Sequence, residues 1–201
     1  MSVSFDKPIL CPIMVGRGSY LDVLKHHLDE TQSGHGQIVL LAGEAGIGKS
    51  RLVAEAKAWG QQKGLLILQG NCFEPDHLLP YAPILDLIRG FIPSHPIERL
   101  KPFASEFAKL IPELNWLLPD IKPSPSLDPV QEKKRYFQTL DEFITKQAAG
   151  SLIIIEDIHW CDDISLEFFL HFARQISNIP ILLLLTYRND EINSSFPVLI
   201  G

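Results

Sequence analysis

The sequence predicts an α/β fold of three layers, with a parallel β-sheet between two layers of helices. Four short aliphatic runs predict the strands, at residues 37–42, 65–70, 152–155 and 181–186. Amphipathic helical patterns lie between these runs, which is the arrangement expected when crossover helices join parallel strands. The runs are apolar at successive positions rather than at alternate ones, and this is typical of strands covered on both faces.

Four helices are predicted from apolar residues that recur three and four positions apart. The first is predicted to begin at Ser19, where Asp22 completes a capping box. The second follows the first strand, and the other two precede the third and fourth strands. Their apolar residues are Leu21, Leu24 and Leu28, then Leu52, Val53, Ala56 and Trp59, then Tyr136, Leu140, Phe143 and Ile144, and finally Leu166, Phe169, Leu170 and Ala173.

The most informative segment follows the first predicted strand directly and opens the second helix. It fills the pattern G-x-x-x-x-G-K-S/T, which wraps the phosphates of a nucleotide. Its residues are Gly43, Glu44, Ala45, Gly46, Ile47, Gly48, Lys49 and Ser50. A chance match is the alternative, but a strand before the loop and a helix after it are the context that supports the motif.

The chemistry of this loop follows from its residue types. Glycines let successive backbone N–H groups point inward, and the new helix adds the positive end of its dipole. Lys49 is expected to reach the β- and γ-phosphates, and the Ser50 hydroxyl to bind Mg²⁺. Arg51, the next residue, is assigned to the same phosphate-binding segment. The sequence therefore predicts a P-loop domain that binds ATP or ADP together with Mg²⁺.

Composition excludes several other classes of protein. The chain has 201 residues and a net charge of −6, which provides no overall positive field for nucleic acid. Cys11, Cys72 and Cys161 are widely separated, so neither a disulfide framework nor a zinc site is indicated. The first residues lack the pattern of a signal peptide, and no apolar run is long enough to span a membrane. We therefore expect a cytoplasmic protein with no membrane partner.

We expect the whole chain, residues 1–201, to form one ATPase domain in four parts. Residues 1–14 are an N-terminal extension, 15–70 the first nucleotide-binding half, and 131–201 the half that carries the acidic pair. Between these halves, residues 71–130 form an insertion rich in proline. There, short helices are predicted near residues 84–91 and 98–110, followed by an extended segment at 122–126. The insertion either packs beside the sheet or holds a partner or ligand.

Two carboxylates, Glu156 and Asp157, end the third predicted strand. Ligands of parallel sheets lie at the carboxyl ends of the strands, where the phosphate loop also lies. Glu156 is expected to face the Mg²⁺ ion, and Asp157 to orient the water that attacks the γ-phosphate. An acidic pair could instead simply end the strand and cap the next segment. The presence of the phosphate loop favours the functional interpretation.

Two further features are open to two interpretations each. Arg188 follows the fourth strand and either contacts the γ-phosphate and stabilises the transition state, or is simply solvated there. His159 and Trp160 follow the acidic pair, and they either relay a signal from it or pack in the core. Packing is the more common role for such a pair.

Taken together, the segments Val15-Gly16-Arg17, the phosphate loop, Glu156 to Asp162 and Thr186-Tyr187-Arg188 resemble a known family. They are similar to the ATPase domain of STAND-type signalling proteins, in the AAA-like branch found in large bacterial regulators. Many of those carry a LuxR-type helix-turn-helix, and others a nucleotide cyclase or protein kinase domain. The resemblance implies a sheet ordered 5-1-4-3-2, and it implies that Val15, Gly16 and Arg17 lie against the adenine and ribose.

The chain also departs from that family. Gly18 stands where many relatives have Glu, and the order Glu156-Asp157 reverses the Asp-Glu of typical AAA machines. The chain ends at Gly201, before a fifth strand and a helical lid could be completed. We therefore expect a fragment of a longer protein, with its first strand exposed at an edge and prone to self-association.

The leading hypothesis is a slowly hydrolysing ATP switch whose partners are C-terminal effector domains of the same protein. A nucleotide-dependent scaffold without turnover is a second hypothesis, and an ATPase module fused to a cyclase or kinase is a variant of the first. A DNA-loading protein related to origin recognition is a third, against which the acidic balance argues. A small-molecule kinase is a fourth, and the acidic segment argues against it.

Overall fold

Four parallel strands form one sheet in the computed structural model, which describes residues 18–75 and 79–189. The strands are β1 (Gln37–Ala42), β2 (Leu66–Asn71), β3 (Ser151–Glu156) and β4 (Ile181–Tyr187), in the order β1-β4-β3-β2. The predicted α/β fold with a parallel sheet is therefore confirmed. The observed order is the 1-4-3-2 part of the order implied by the family resemblance, and residues beyond 189 lie outside the described part.

Successive residues of the central strand β3 point to opposite faces of the sheet, as strand geometry requires. Leu152 and Ile154 pack with the helices on one face, whereas Ile153 and Ile155 pack with those on the other. Ile153 is aligned with Leu183 of β4. Because both faces are covered, β3 and β4 are buried over nearly their whole length, which explains their continuous aliphatic sequences.

One layer consists of two helices, α1 (Gly18–Gln32) and α2 (Lys49–Gln62). Their apolar faces meet the sheet through side chains at the predicted spacing, which are Leu24, Leu28, Leu52, Val53 and Ala56. The described part of α1 begins at Gly18, one residue before the predicted start. This layer fixes the position of the phosphate loop, because the loop connects the sheet to the first turn of α2.

The other layer is larger and contains the insertion. Its main helices are α3 (Ala82–Phe91), α6 (Pro129–Gln147) and α7 (Asp163–Ala173). Between α3 and α6 lie two one-turn helices, α4 (Ala104–Phe107) and α5 (Leu114–Leu117). The ring of Phe143 packs edge to face against two others, and its centroid lies 5.1 Å from that of Phe91 and 5.5 Å from that of Phe107.

The helix predicted near residues 98–110 is interrupted, so that prediction was wrong in its extent. A 3₁₀ turn, Ile97–Leu100, stands in its first part and α4 in its second. Pro102 lies between them. Its ring excludes the backbone hydrogen bond that a continuous helix would need. Residues 121–128 have no regular structure, as predicted for the segment at 122–126.

The insertion closely approaches the sheet at Gly70 of β2. A Cβ atom at this position would lie 2.3 Å from the carbonyl oxygen of Pro83, in the first turn of α3. Glycine is therefore required where α3 crosses the end of β2. Among the residues that the structure describes, no helix is long and apolar enough to cross a membrane.

Candidate nucleotide-binding site

The phosphate loop lies between β1 and α2, at the carboxyl edge of the sheet. Gly46 and Gly48 have φ angles of 73° and 97°, in the left-handed region that glycine adopts without strain. Gly48 immediately precedes α2 and turns the chain into the helix. The first N–H groups of a helix have no acceptor within it. The geometry therefore suits an anion at the start of α2.

Lys49 directs its side chain over the loop. Its Nζ atom lies 2.7 Å from the carbonyl oxygen of Gly43 and 3.0 Å from that of Glu44. The amine thus stands across the loop from the helix N-terminus, and it is held there by acceptors of the loop itself. A bound phosphate would offer the same amine a charged acceptor, and hydrogen bonds to charged acceptors are stronger than those to neutral carbonyls.

The remaining loop residues differ in how they are placed. Glu44, Ala45 and Ile47 are exposed, and Ile47 borders a cavity of about 370 Å³ that also reaches Lys49. The guanidinium Nε of Arg51 lies 3.1 Å from Oε1 of Glu55, one turn further along α2. Arg51 therefore lies on the helix beyond the loop. The three residues assigned to the adenine and ribose, Val15, Gly16 and Arg17, lie outside the described residues.

Glu156, the last residue of β3, lies beside the phosphate loop. Its Oε1 atom lies 2.6 Å from Nε2 of Gln69, and Ser50 is near enough to the carboxylate to lower the pKa of Glu156 slightly. Burial has the largest effect on the pKa of Glu156 and raises it. The positive charge of Lys57 lowers this pKa, and the negative charge of the neighbouring Asp157 raises it further. Ser50 and Glu156 thus bring a hydroxyl and a carboxylate oxygen together, a donor set that suits Mg²⁺.

Asp157 stands in an unusual backbone conformation directly after β3. Its φ angle is 54°, in the left-handed region that few residues other than glycine adopt. Its backbone N–H donates to the Thr186 hydroxyl oxygen over 2.9 Å, which ties this turn to the end of β4. Oδ1 of Asp157 also lies 4.0 Å from Nε of Arg188. The strand order therefore brings together the acidic pair and the arginine, although 30 residues separate them in the sequence.

The sequence patterns did not identify two residues of the site, Gln69 and Thr186, as functional groups. Each is a polar residue near the end of an otherwise aliphatic strand, which is the signal that could have identified them. Gln69 orients the Glu156 side chain, and Thr186 holds the Asp157 backbone. Both contacts cross between neighbouring strands that are distant in sequence.

His159 and Trp160 occupy a 3₁₀ turn after the acidic pair. His159 is 8% exposed, and its ring centroid lies 5.4 Å from that of Trp160. The following Asp162 caps α7, since its Oδ1 atom accepts from the Ser165 N–H at 2.9 Å. These contacts agree with the packing interpretation of the pair.

A phosphate loop on a parallel sheet, with carboxylates at the end of a neighbouring strand, defines a P-loop nucleotide-binding domain. The family model for the AAA ATPase domain matches residues 14–185. The chain therefore belongs to the AAA ATPase domain family. Family membership implies nucleotide binding, typically with Mg²⁺, and ATP hydrolysis is an activity of that family.

The chain is also similar to an uncharacterized protein of Rhizobium meliloti (strain 1021), with 26% identity over 190 residues. The match covers 87% of this chain and 18% of that protein, so the chain spans about a fifth of its relative's length. Among solved structures, a Rhizobiales Trip13 has 11% identity and a TM-score of 0.35, with 90% of this chain and 57% of that chain covered. Drosophila ORC, bound to GC-rich DNA and Cdc6, has 14% identity and a TM-score of 0.36, with 96% and 58% covered.

Proposed function

We propose that this domain is an ATP-binding switch, with slow hydrolysis, within a larger signalling or transcription regulator of the STAND type. The observation that carries the proposal is that the phosphate loop follows β1 and Glu156 ends β3, so both lie at the carboxyl edge of one parallel sheet. This arrangement supports a site in which the Ser50 hydroxyl and the Glu156 carboxylate would lie on two sides of a bound Mg²⁺ ion. The length of the curated relative supports a large multidomain protein.

The described residues of the site would have different roles around the γ-phosphate. Lys49 would leave its loop acceptors to bind the β- and γ-phosphates, and Ser50 with Glu156 would hold Mg²⁺. The ion, when bound, neutralises charge on the phosphates. Asp157 would accept a hydrogen bond from the attacking water and orient it toward phosphorus. Arg188 would stabilise the negative charge that develops on the γ-phosphate.

The contact between Asp157 and Arg188 supplies the element that could switch. In the structure these side chains face each other at 4.0 Å. A γ-phosphate would compete with Asp157 for the guanidinium, so ATP and ADP would favour different positions of Arg188. Differential contacts of this kind are what allow a nucleotide to shift a conformational equilibrium. The partners that read this shift would be effector domains of the same longer protein.

Phosphate release from the full-length protein tests the proposal. Asp157→Asn should keep ATP affinity but lower turnover at least tenfold, because it removes a group needed only after binding. Glu156→Gln should make ATP binding less dependent on Mg²⁺. Asp163→Asn is the matched control, since Asp163 is an exposed acid in the first turn of α7. Wild-type turnover in Asp157→Asn would reject the catalytic role of the pair.

A nucleotide-dependent scaffold without turnover is the second candidate. It is favoured by the short hydrogen bond from Gln69 to Glu156, which engages one of the two acids needed for chemistry. Phosphate release by the wild-type protein distinguishes the two candidate functions. ATP binding with no phosphate release by the wild-type protein, at any Mg²⁺ concentration, would favour the scaffold.

A further inference from the structure

A cavity of about 370 Å³ connects the phosphate loop with the first turn of α1. Its wall includes Ile47 and Lys49 of the loop and Tyr20 of α1. Ligand pockets in proteins commonly have volumes of about 300–1,000 Å³. Tyr20 therefore shares one cavity of suitable size with the lysine that is expected to bind the β- and γ-phosphates.

Tyr20 lies on the face of α1 that packs on the sheet, but its own ring is uncovered. Leu24 and Leu28 follow it at intervals of four residues, a spacing that places side chains one above another on the same face of a helix. Leu24 is 2% exposed and Leu28 is fully buried, whereas Tyr20 is 59% exposed. The apolar face of α1 thus begins with an aromatic side chain that lines a cavity instead of packing in the core.

The other walls of the cavity are aliphatic. Residues 40–42 at the end of β1 form one of them, and Leu52 of α2 and Ile47 of the loop form the others. Of the described residues that line the cavity, Lys49 alone carries a charge. The wall therefore combines one cation with aromatic and aliphatic side chains. This combination suits a ligand that has both an anionic part and a planar aromatic part, as a nucleotide does.

We propose that Tyr20 is a specificity-determining residue of the nucleotide site, which stacks on the base and favours purines over pyrimidines. The inference rests on the proposed nucleotide-binding function and adds the class of base to it. Every base has a π-face that can stack on an aromatic ring. A purine offers two fused rings for this contact, whereas a pyrimidine offers one. Lys49 contacts a triphosphate that all nucleotides share, so the discrimination between bases arises at Tyr20.

Titrations of the 201-residue chain with ATP and with UTP test the proposal. The wild type should bind ATP at least fivefold more tightly than UTP. Tyr20→Leu removes the ring but keeps an apolar side chain, so it should weaken ATP binding about tenfold and UTP binding only about twofold. Tyr20→Phe keeps the ring and should keep the preference for ATP. Because Tyr20 is mostly exposed and leucine is a good helix former, Tyr20→Leu should fold.

Val23→Ala is the matched control, because Val23 is 52% exposed on α1 and does not line the cavity. It should leave both affinities unchanged. Lys49→Ala should weaken ATP and UTP binding equally, since both carry the same triphosphate. Equal wild-type affinities for ATP and UTP would overturn the proposal, and so would an unchanged preference for ATP in Tyr20→Leu. Either result would leave the phosphate loop as a nucleotide site. A wild-type chain that binds neither nucleotide would instead reject the proposed function together with this inference.

Discussion

Gln69 Nε2 lies 2.6 Å from Glu156 Oε1, so a side chain of β2 orients the carboxylate that ends β3. The same amide group also lies 2.9 Å from Oδ1 of Asn71. Gln69 favours the ionised form of Glu156, because a hydrogen bond donated to a carboxylate lowers its pKa. Burial acts in the opposite direction and dominates, so the pKa of Glu156 is raised. The charge of the acid that is expected to hold Mg²⁺ therefore depends on this neighbouring strand.

The first prediction concerns the pH dependence of Mg²⁺-dependent ATP binding. Protonation of Glu156 competes with the metal, and the raised pKa means that the Mg²⁺ effect falls from a pH above the ordinary glutamate value of 4.5. Gln69→Leu should move this loss to a still higher pH. The raised pKa has the opposite effect on the free energy of unfolding. It stabilises the folded state in acid, and this stabilisation is lost as the pH rises through the folded-state pKa of Glu156.

ATP titrations with and without Mg²⁺, across a pH series, measure this effect. Gln138→Leu is the control, because Gln138 is exposed on α6. Identical pH profiles for Gln69→Leu and the wild type would contradict the role assigned to Gln69.

The second prediction concerns Lys49. Lys49→Ala should weaken ATP affinity at least tenfold, about 1.4 kcal/mol, because it removes the amine that lies across the loop. A fluorescent ATP analogue measures the change. Lys146→Ala, which alters an exposed lysine paired with Glu142, should leave affinity unchanged. Equal affinities of Lys49→Ala and the wild type would refute the phosphate-loop assignment.

The third prediction concerns the stability provided by Asp162. Its Oδ1 atom accepts from the N–H groups of both Tyr81 and Ser165, and the side chain is buried. Asp162→Ala should lower the free energy of unfolding by about 1–3 kcal/mol, because it removes a helix cap and leaves a buried N–H group without an acceptor. Urea unfolding measures this difference. Asp163→Ala, at the exposed neighbouring position, should cost well under 1 kcal/mol, and an equal loss in the two variants would contradict the explanation.

The fourth prediction concerns the edge of the sheet. Among the described residues β1 pairs with β4 alone, and Ile38 of β1 is 40% exposed. An uncovered strand edge favours pairing with another chain, and a lysine on it opposes such pairing. We expect the 201-residue chain to self-associate as its concentration rises, and Ile38→Lys to reduce this. Sedimentation at several protein concentrations measures this self-association, and Val23→Lys is the control variant. A monomer at every concentration would mean that the edge of β1 is not available.

The strands and the phosphate loop could be predicted from the sequence because each depends on neighbouring residues. Residues 37–42 were predicted as a strand and are β1, and the contiguous motif from Gly43 to Ser50 spans the loop after β1 and the first residues of α2. The helix over 98–110 was predicted too long, because Pro102 interrupts it. Local patterns thus gave correct element types where no proline interrupted them.

The sequence by itself determined the class of fold, the phosphate loop and the acidic pair at the end of β3. Only the tertiary structure decided which side chains surround that pair, because Gln69 and Thr186 reach it across strand pairs that are not consecutive in the chain. It also decided that Tyr20 and Lys49 line one cavity. The physical reason is that local sequence sets backbone propensity and amphipathicity, whereas burial, strand order and helix packing determine contacts between distant residues and the pKa of the groups they enclose.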